Sequence, residues 1–93
     1  MFNIGDLVRI KDNANDIRVG NVYWCESMDE YLGGTYKIFY KKREKEYLLE
    51  GCNATHTVNN DPYPNYWRFH ESWLEPVINV NIDTNNVLEL FNV

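Results

Sequence analysis

Residues 35–41 read TYKIFYK. In an extended chain, the apolar Tyr36, Ile38 and Tyr40 lie on one side, and the other side carries Thr35, Lys37, Phe39 and Lys41. A period of two carried by aromatic and β-branched residues is typical of a half-buried β-strand. A short charged connection at 42–44 follows, and then the segment 45–50, with its apolar residues at 47–49. The sequence therefore predicts a β-hairpin at the centre of the fold.

Shorter strands are predicted on both sides of this hairpin. Val8 and Ile10 alternate with charged residues in the segment 5–10. The aromatic segment 66–70 is followed by a single tight turn and a last short strand at 74–77. We therefore expect a mostly β domain of about five short strands.

One short helix is predicted between the first two strands. Ser27 and Glu30 have the spacing of a capping box, with Ser27 as the N-cap. Gly33 and Gly34 supply the stop signal at the other end. The helix is therefore expected at about 27–32.

Two segments have no clear place in these elements. The segment 51–65 is rich in turn residues, and loops of this length are often functional. The tail at 79–93 differs from the rest and ends in an apolar cluster. We expect residues 1–78 to form the domain, and 79–93 to be a C-terminal extension: an extra strand, a docked segment or a dimerisation arm.

Four segments, in this order and spacing, resemble the small SH3-like proteins of phages and prophages of Gram-positive bacteria. They are IGDLVRI at 4–10, MDEYLG at 28–33, YWRF at 66–69 and WLEPV at 73–77. The chain is more distantly similar to Mind bomb-type SH3-like domains. The resemblance covers residues 3–77 and implies a small SH3-like barrel that acts by binding, without catalytic residues. The long 51–65 connection and the tail depart from the family pattern.

Charge is distributed unevenly along the chain. The formal net charge is −5, which disfavours free nucleic acid as a partner because that affinity depends on neutralising phosphates. Residues 37–45 nevertheless hold five basic residues against one acidic residue, a local charge of +4, and the remainder carries −9. We therefore expect an electrically two-sided molecule.

Residues that could perform chemistry are few and scattered. Cys52 and His56 have the spacing of half a zinc site, with Cys25 and His70 as conceivable partners, but structural zinc requires four ligands. A Cys25–His70 nucleophile pair would also need an orienting group that the sequence does not indicate. We therefore expect no metal, no cofactor and no enzymatic activity.

The chain has no apolar run long enough to span a membrane and no signal-peptide pattern at its start. We therefore expect a cytoplasmic protein with reduced thiols, located in the bacterial host if a phage encodes it.

Aromatic residues provide the main candidates for a binding face. Ile38, Phe39, Phe69 and Trp73 are assigned to the core, whereas Tyr63 lies between two prolines that would hold its ring outward. Aromatic residues on the loops of small barrels can line a groove for an extended peptide. The candidate protein-binding residues are Tyr23, Trp24, Tyr63, Tyr66 and Trp67.

The leading functional hypothesis is a non-enzymatic module that binds a host or phage protein and could inhibit it, as an anti-defence or anti-CRISPR-type inhibitor does. The alternative is a small barrel that binds nucleic acid or a signalling nucleotide through the basic hairpin. The residues of that alternative site are Tyr36, Lys37, Tyr40, Lys41, Lys42, Arg43 and Lys45. A homodimer formed through 79–93 is a further expectation.

Overall fold

A computed structural model describes residues 2–20, 22–60 and 62–77 of the chain. These residues form one five-stranded sheet in the order β4-β3-β2-β1-β5, and every neighbouring pair is antiparallel. The prediction of a mostly β, barrel-like fold with about five short strands is confirmed. The strands are β1 (Leu7–Ile10), β2 (Thr35–Arg43), β3 (Glu46–Asn53), β4 (Tyr66–His70) and β5 (Leu74–Pro76).

The predicted hairpin is the long central pair of the sheet. Ile38 on β2 lies opposite Leu49 on β3, and both side chains are buried. The pairing shifts between Ile38 and Tyr40, which indicates a bulge in β2. Because a bulge inserts one residue into the alternation, the face on which each later β2 side chain lies cannot be deduced by counting in twos.

The predicted helix forms, but as a 3₁₀ helix at Glu26–Tyr31 whose N-cap is Cys25 rather than Ser27. The Met28 amide donates to the Cys25 carbonyl at 2.8 Å, and the Cys25 amide lies 3.3 Å from Met28 Sδ. The thioether therefore takes the place that a glutamate would have in a capping box. Met28 is fully buried, and Tyr31 and Leu32 pack against the core beside it.

Strand β3 continues further than the sequence predicted. Gly51 adopts a positive φ of 91°, a conformation that glycine reaches without steric cost, and β3 ends only at Asn53. This extension carries Cys52 into the core. The predicted 51–65 loop is therefore shortened to 54–65, and its ends meet where the Ala54 amide donates to the Asn65 carbonyl at 2.7 Å.

The core lies on one face of the curved sheet. The tight turn predicted after β4 is a 3₁₀ turn at Glu71–Trp73, and its Trp73 is buried with the indole N–H donating to the Ile17 carbonyl at 2.8 Å. Ile38, Phe69 and Trp73 are core residues as predicted. Other large buried side chains of this cluster are Trp67, Tyr47, Met28, Ile10, Leu49 and Leu74. The predicted extension at 79–93 lies outside the described residues, so its form stays a prediction.

Candidate functional site

The five aromatic residues proposed as one binding face lie in three different places. Tyr23 and Trp24 are in the long loop between β1 and β2, beside the Glu71–Trp73 turn. Tyr63 and Tyr66 pack together at the sheet face away from the core. Trp67 is in the core. The described residues therefore do not form the single face that the sequence suggested.

Trp67 is 6% exposed, so it does not belong to an exposed face of this structure. The burial of β4 alternates, with Trp67 and Phe69 pointing inward while Tyr66 and Arg68 are half-buried. This alternation is already present in the sequence of β4 and explains why Trp67 is buried.

Tyr63 is 37% exposed, so its ring is partly outward as predicted, but it is not free of contacts with the protein. Its ring packs edge-on against Phe39, Tyr40 and Tyr66 at centroid distances of 4.9, 5.1 and 6.1 Å. Leu48 is 1% exposed but lies outside the main core cluster, opposite Tyr40. We call Phe39, Tyr40, Tyr63 and Tyr66 the outer aromatic cluster. Phe39, Tyr40 and Tyr66 are half-buried and Tyr63 is exposed, and their contacts pack the 54–65 loop onto the sheet.

Phe39 is therefore not a core residue, contrary to prediction. Alternation with the buried Ile38 already places Phe39 on the outer face, and the β2 bulge then brings Tyr40 to the same loop. In a regular strand, consecutive side chains would point to opposite faces.

Tyr23 and Trp24 differ sharply in exposure. Tyr23 is 78% exposed, the most exposed large apolar residue among those the structure describes. Trp24 is half-buried, with its ring 5.2 Å from that of Trp73 and its indole N–H donating to Asp29 Oδ1 at 2.7 Å. The fixed tryptophan therefore holds the backbone from which Tyr23 projects.

Two grooves meet at Tyr23. One, of about 450 Å³, runs along residues 15–20 to Trp24 and Trp73. The other, of about 240 Å³, is bounded by Met28, Val58 and Trp67 and reaches Arg68. An exposed aromatic ring between two concave surfaces is suited to contact an extended polypeptide.

The basic hairpin predicted as an alternative site is also divided. Tyr36 packs against Tyr31 at a centroid distance of 5.8 Å and contacts the core, whereas Tyr40 belongs to the outer aromatic cluster. Burial of the phenol raises the pKa of Tyr36 above its usual value. The exposed basic residues of the set are Lys37, Lys41, Arg43 and Lys45, and Lys42 is half-buried.

The structure adds three residues that sequence reasoning missed. Arg68 and Asn59 line a groove of about 420 Å³ together with Lys42 and Arg43 of the hairpin. Glu46, 4% exposed, accepts from Arg68 Nη1 at 3.1 Å and lies 3.6 Å from Arg43 Nε. The alternation of β4 is the signal that could have placed Arg68 outside the core.

The cysteines and histidines are dispersed. Cys25 is exposed, while burial of Cys52 raises the pKa of its thiol to about 12. His56 packs on Trp67 at 5.7 Å, and His70 Nδ1 accepts from the Ser72 amide at 3.1 Å. Within residues 2–20, 22–60 and 62–77, no three or more His, Cys, Asp and Glu side chains are grouped so that they could hold a metal ion.

The same described ranges contain no helix with the length and apolar character needed to cross a membrane.

Comparisons with protein-family models, curated proteins and solved structures find no match to this chain.

Proposed function

We propose that this protein is a non-enzymatic protein-binding domain that holds an extended segment of a partner against Tyr23. The observation that carries the proposal is the 78% exposure of Tyr23 between two grooves, on a backbone fixed by the packing of Trp24. Tyrosine is among the residues that contribute most to protein interfaces, because it offers a large apolar area and a hydrogen-bonding end.

The grooves favour a polypeptide rather than a single small molecule. They continue on both sides of Tyr23 and share Val22 as well as Tyr23 in their linings. An extended segment of several residues could therefore contact both grooves while one of its side chains packs on the tyrosine ring.

The resemblance to phage and prophage proteins supports a partner in a bacterial host and an inhibitory effect on that partner. A small domain can inhibit a larger protein by covering the surface that the larger protein uses. The acidic remainder of the chain could then compete with a nucleic acid for a basic surface of the partner, since the two would share the same sign of charge.

Affinity capture from a bacterial lysate, with the bound proteins quantified by mass spectrometry, tests the proposal. We expect at least one protein to be retained by the natural chain and reduced at least tenfold with Tyr23→Ala. Lys37→Ala is the matched control, because Lys37 is also exposed but lies on β2 and lines neither groove. If every captured protein binds the natural chain and Tyr23→Ala equally, the proposed face is wrong.

A further inference from the structure

The groove between the β2–β3 hairpin and the 54–65 loop concentrates positive charge. Lys42 and Arg43 reach it from the hairpin, and Arg68 reaches it from β4. Among the described residues that line it, none is acidic. We call this surface the basic groove.

Its two arginines are held in place by one carboxylate. Arg68 Nη1 and Arg43 Nε both lie within 4 Å of the same Glu46 oxygen, at 3.1 and 3.6 Å. A single negative charge therefore fixes two guanidinium groups side by side and leaves an excess of positive charge. Lys42 Nζ lies 3.4 Å from the Asn60 carbonyl and so spans from the hairpin to the loop.

Neutral polar side chains complete the basic groove. Asn59 is 9% exposed and lines it, and its Nδ2 donates to the Tyr66 carbonyl. Its Oδ1 is buried and accepts no hydrogen bond from the described residues. Asn59 therefore adds a neutral side chain to the lining and no charge that would offset the basic residues.

The size of the groove and the overall charge select a small anion. A volume of about 420 Å³ lies in the range of small-molecule sites. A long polyanion would extend beyond the hairpin and meet the −9 carried by the rest of the chain. A small anion would interact mainly with the charges within about 8–10 Å, the screening distance at physiological ionic strength.

We propose that the basic groove binds a small phosphorylated ligand of about mononucleotide size, with Lys42, Arg43 and Arg68 around its phosphate group. Guanidinium groups recognise phosphate oxygens with paired hydrogen bonds, and a lysine adds a point charge. The basic groove shares Val58 and Arg68 with the second groove at Tyr23, but Tyr23 itself does not line it.

Calorimetric titration of the full chain with ADP, ribose 5-phosphate and adenosine tests this site. We expect saturable one-to-one binding of ADP or ribose 5-phosphate, and at least tenfold weaker binding of adenosine, which has no phosphate. Tighter binding of ADP would assign the ligand to the nucleotides, and tighter binding of ribose 5-phosphate would assign it to the sugar phosphates.

Substitutions in and beside the basic groove test whether the ligand binds there. Lys42→Gln should weaken it about tenfold, the effect of losing one hydrogen bond to a charged group. Lys41→Gln removes the same charge from the neighbouring residue, which does not line the groove, and should change affinity less than twofold. Arg68→Gln should also weaken binding, with circular dichroism checking its fold because Arg68 holds the buried Glu46.

Several results would overturn the proposal. One is the absence of saturable binding of either phosphorylated probe below millimolar concentration. Another is an equal loss of affinity with Lys41→Gln and Lys42→Gln, because that would indicate general attraction to the positively charged hairpin rather than binding in the groove. Tighter binding of a glutamate-rich peptide or a single-stranded oligonucleotide would assign the groove to a macromolecule instead. Tyr23→Ala should leave these titrations unchanged, which separates them from the test of protein binding.

Discussion

At the scale of single residues, the two cysteines have opposite surroundings. Cys25 is exposed, whereas the Cys52 thiol is buried with its pKa raised to about 12. Because the thiolate is the reactive form, we expect one thiol per chain to react with a disulfide reagent at pH 8 in the folded protein, and two in urea. Cys25→Ser should abolish the folded-state reaction. Rapid labelling of Cys52 in the native protein would contradict its burial.

The buried Cys52 thiol also predicts that the folded protein loses stability at alkaline pH. In the unfolded chain the Cys52 thiol ionises near its ordinary pKa of 9.0, but in the folded chain the pKa is about 12. The stabilising effect of the neutral buried thiol is therefore complete below pH 9 and is lost as the pH rises toward 12. The slope reaches about 1.4 kcal/mol per pH unit for one proton.

Urea unfolding between pH 8 and 11 measures this dependence. Tyr31, Tyr36 and Tyr47, whose phenol pKa values are raised chiefly by burial, act in the same direction at higher pH. Cys52→Ala should therefore reduce the slope between pH 9 and 10 without removing all of it. An identical slope in the variant would show that Cys52 does not carry the effect.

At the scale of elements, the outer aromatic cluster holds the 54–65 loop on the sheet. Tyr63 packs against three rings, and the Pro64 carbonyl next to it accepts from the amides of Val58 and Asn59. We expect Tyr63→Ala to lower the unfolding free energy by about 2 kcal/mol. Hydrogen exchange should also accelerate at the Val58 and Asn59 amides.

Tyr23→Ala is the matched control for this change, because it removes the same side chain from a position that is 78% exposed. It should shift stability by less than about 0.5 kcal/mol. Equal effects of the two substitutions would mean that the cluster does not stabilise the loop.

Much of the fold follows from the alternation of the strands. The 35–41 pattern, the hairpin after it and the tight turn after β4 are explicit in the sequence. The face of Tyr40 is not, because the β2 bulge depends on pairing with β3. Strand β3 was predicted too short because Gly51 and Asn53 are common turn residues. The N-cap of the Glu26–Tyr31 helix was predicted two residues late, because Cys25 and Met28 are not the residue types of a usual capping box.

The candidate sites were less predictable than the fold. Tyr23 was recognisable as an aromatic residue in a long loop, but its exposure relative to Trp24 depends on the packing of Trp24 against Trp73. The basic groove combines the hairpin with Arg68 and Asn59, which lie 16 or more residues further along the chain. Only pairing of β3 with β4 and closure of the loop bring them together.

At the scale of the whole molecule, the five strands and the core lie within residues 2–77. We therefore expect a chain ending at Val77 to keep a β-type circular-dichroism spectrum and a cooperative unfolding transition. Light scattering on the two chains tests the predicted dimerisation through 79–93. A dimeric full chain and a monomeric truncated chain would support it, whereas equal oligomeric states would remove the tail from any interface.

Strand β3 is covered by side chains on both faces, since Tyr47 and Leu49 lie in the core and Leu48 lies outside that cluster. Slippage by one position would therefore carry a small hydrophobic penalty, unlike in a strand with one wet face. Two features resist such slippage. A shift by one position would separate the Glu46 carboxylate from the arginines that neutralise it. It would also require a residue other than glycine to adopt the positive φ that Gly51 has now. A buried charge and one glycine thus select a single alignment.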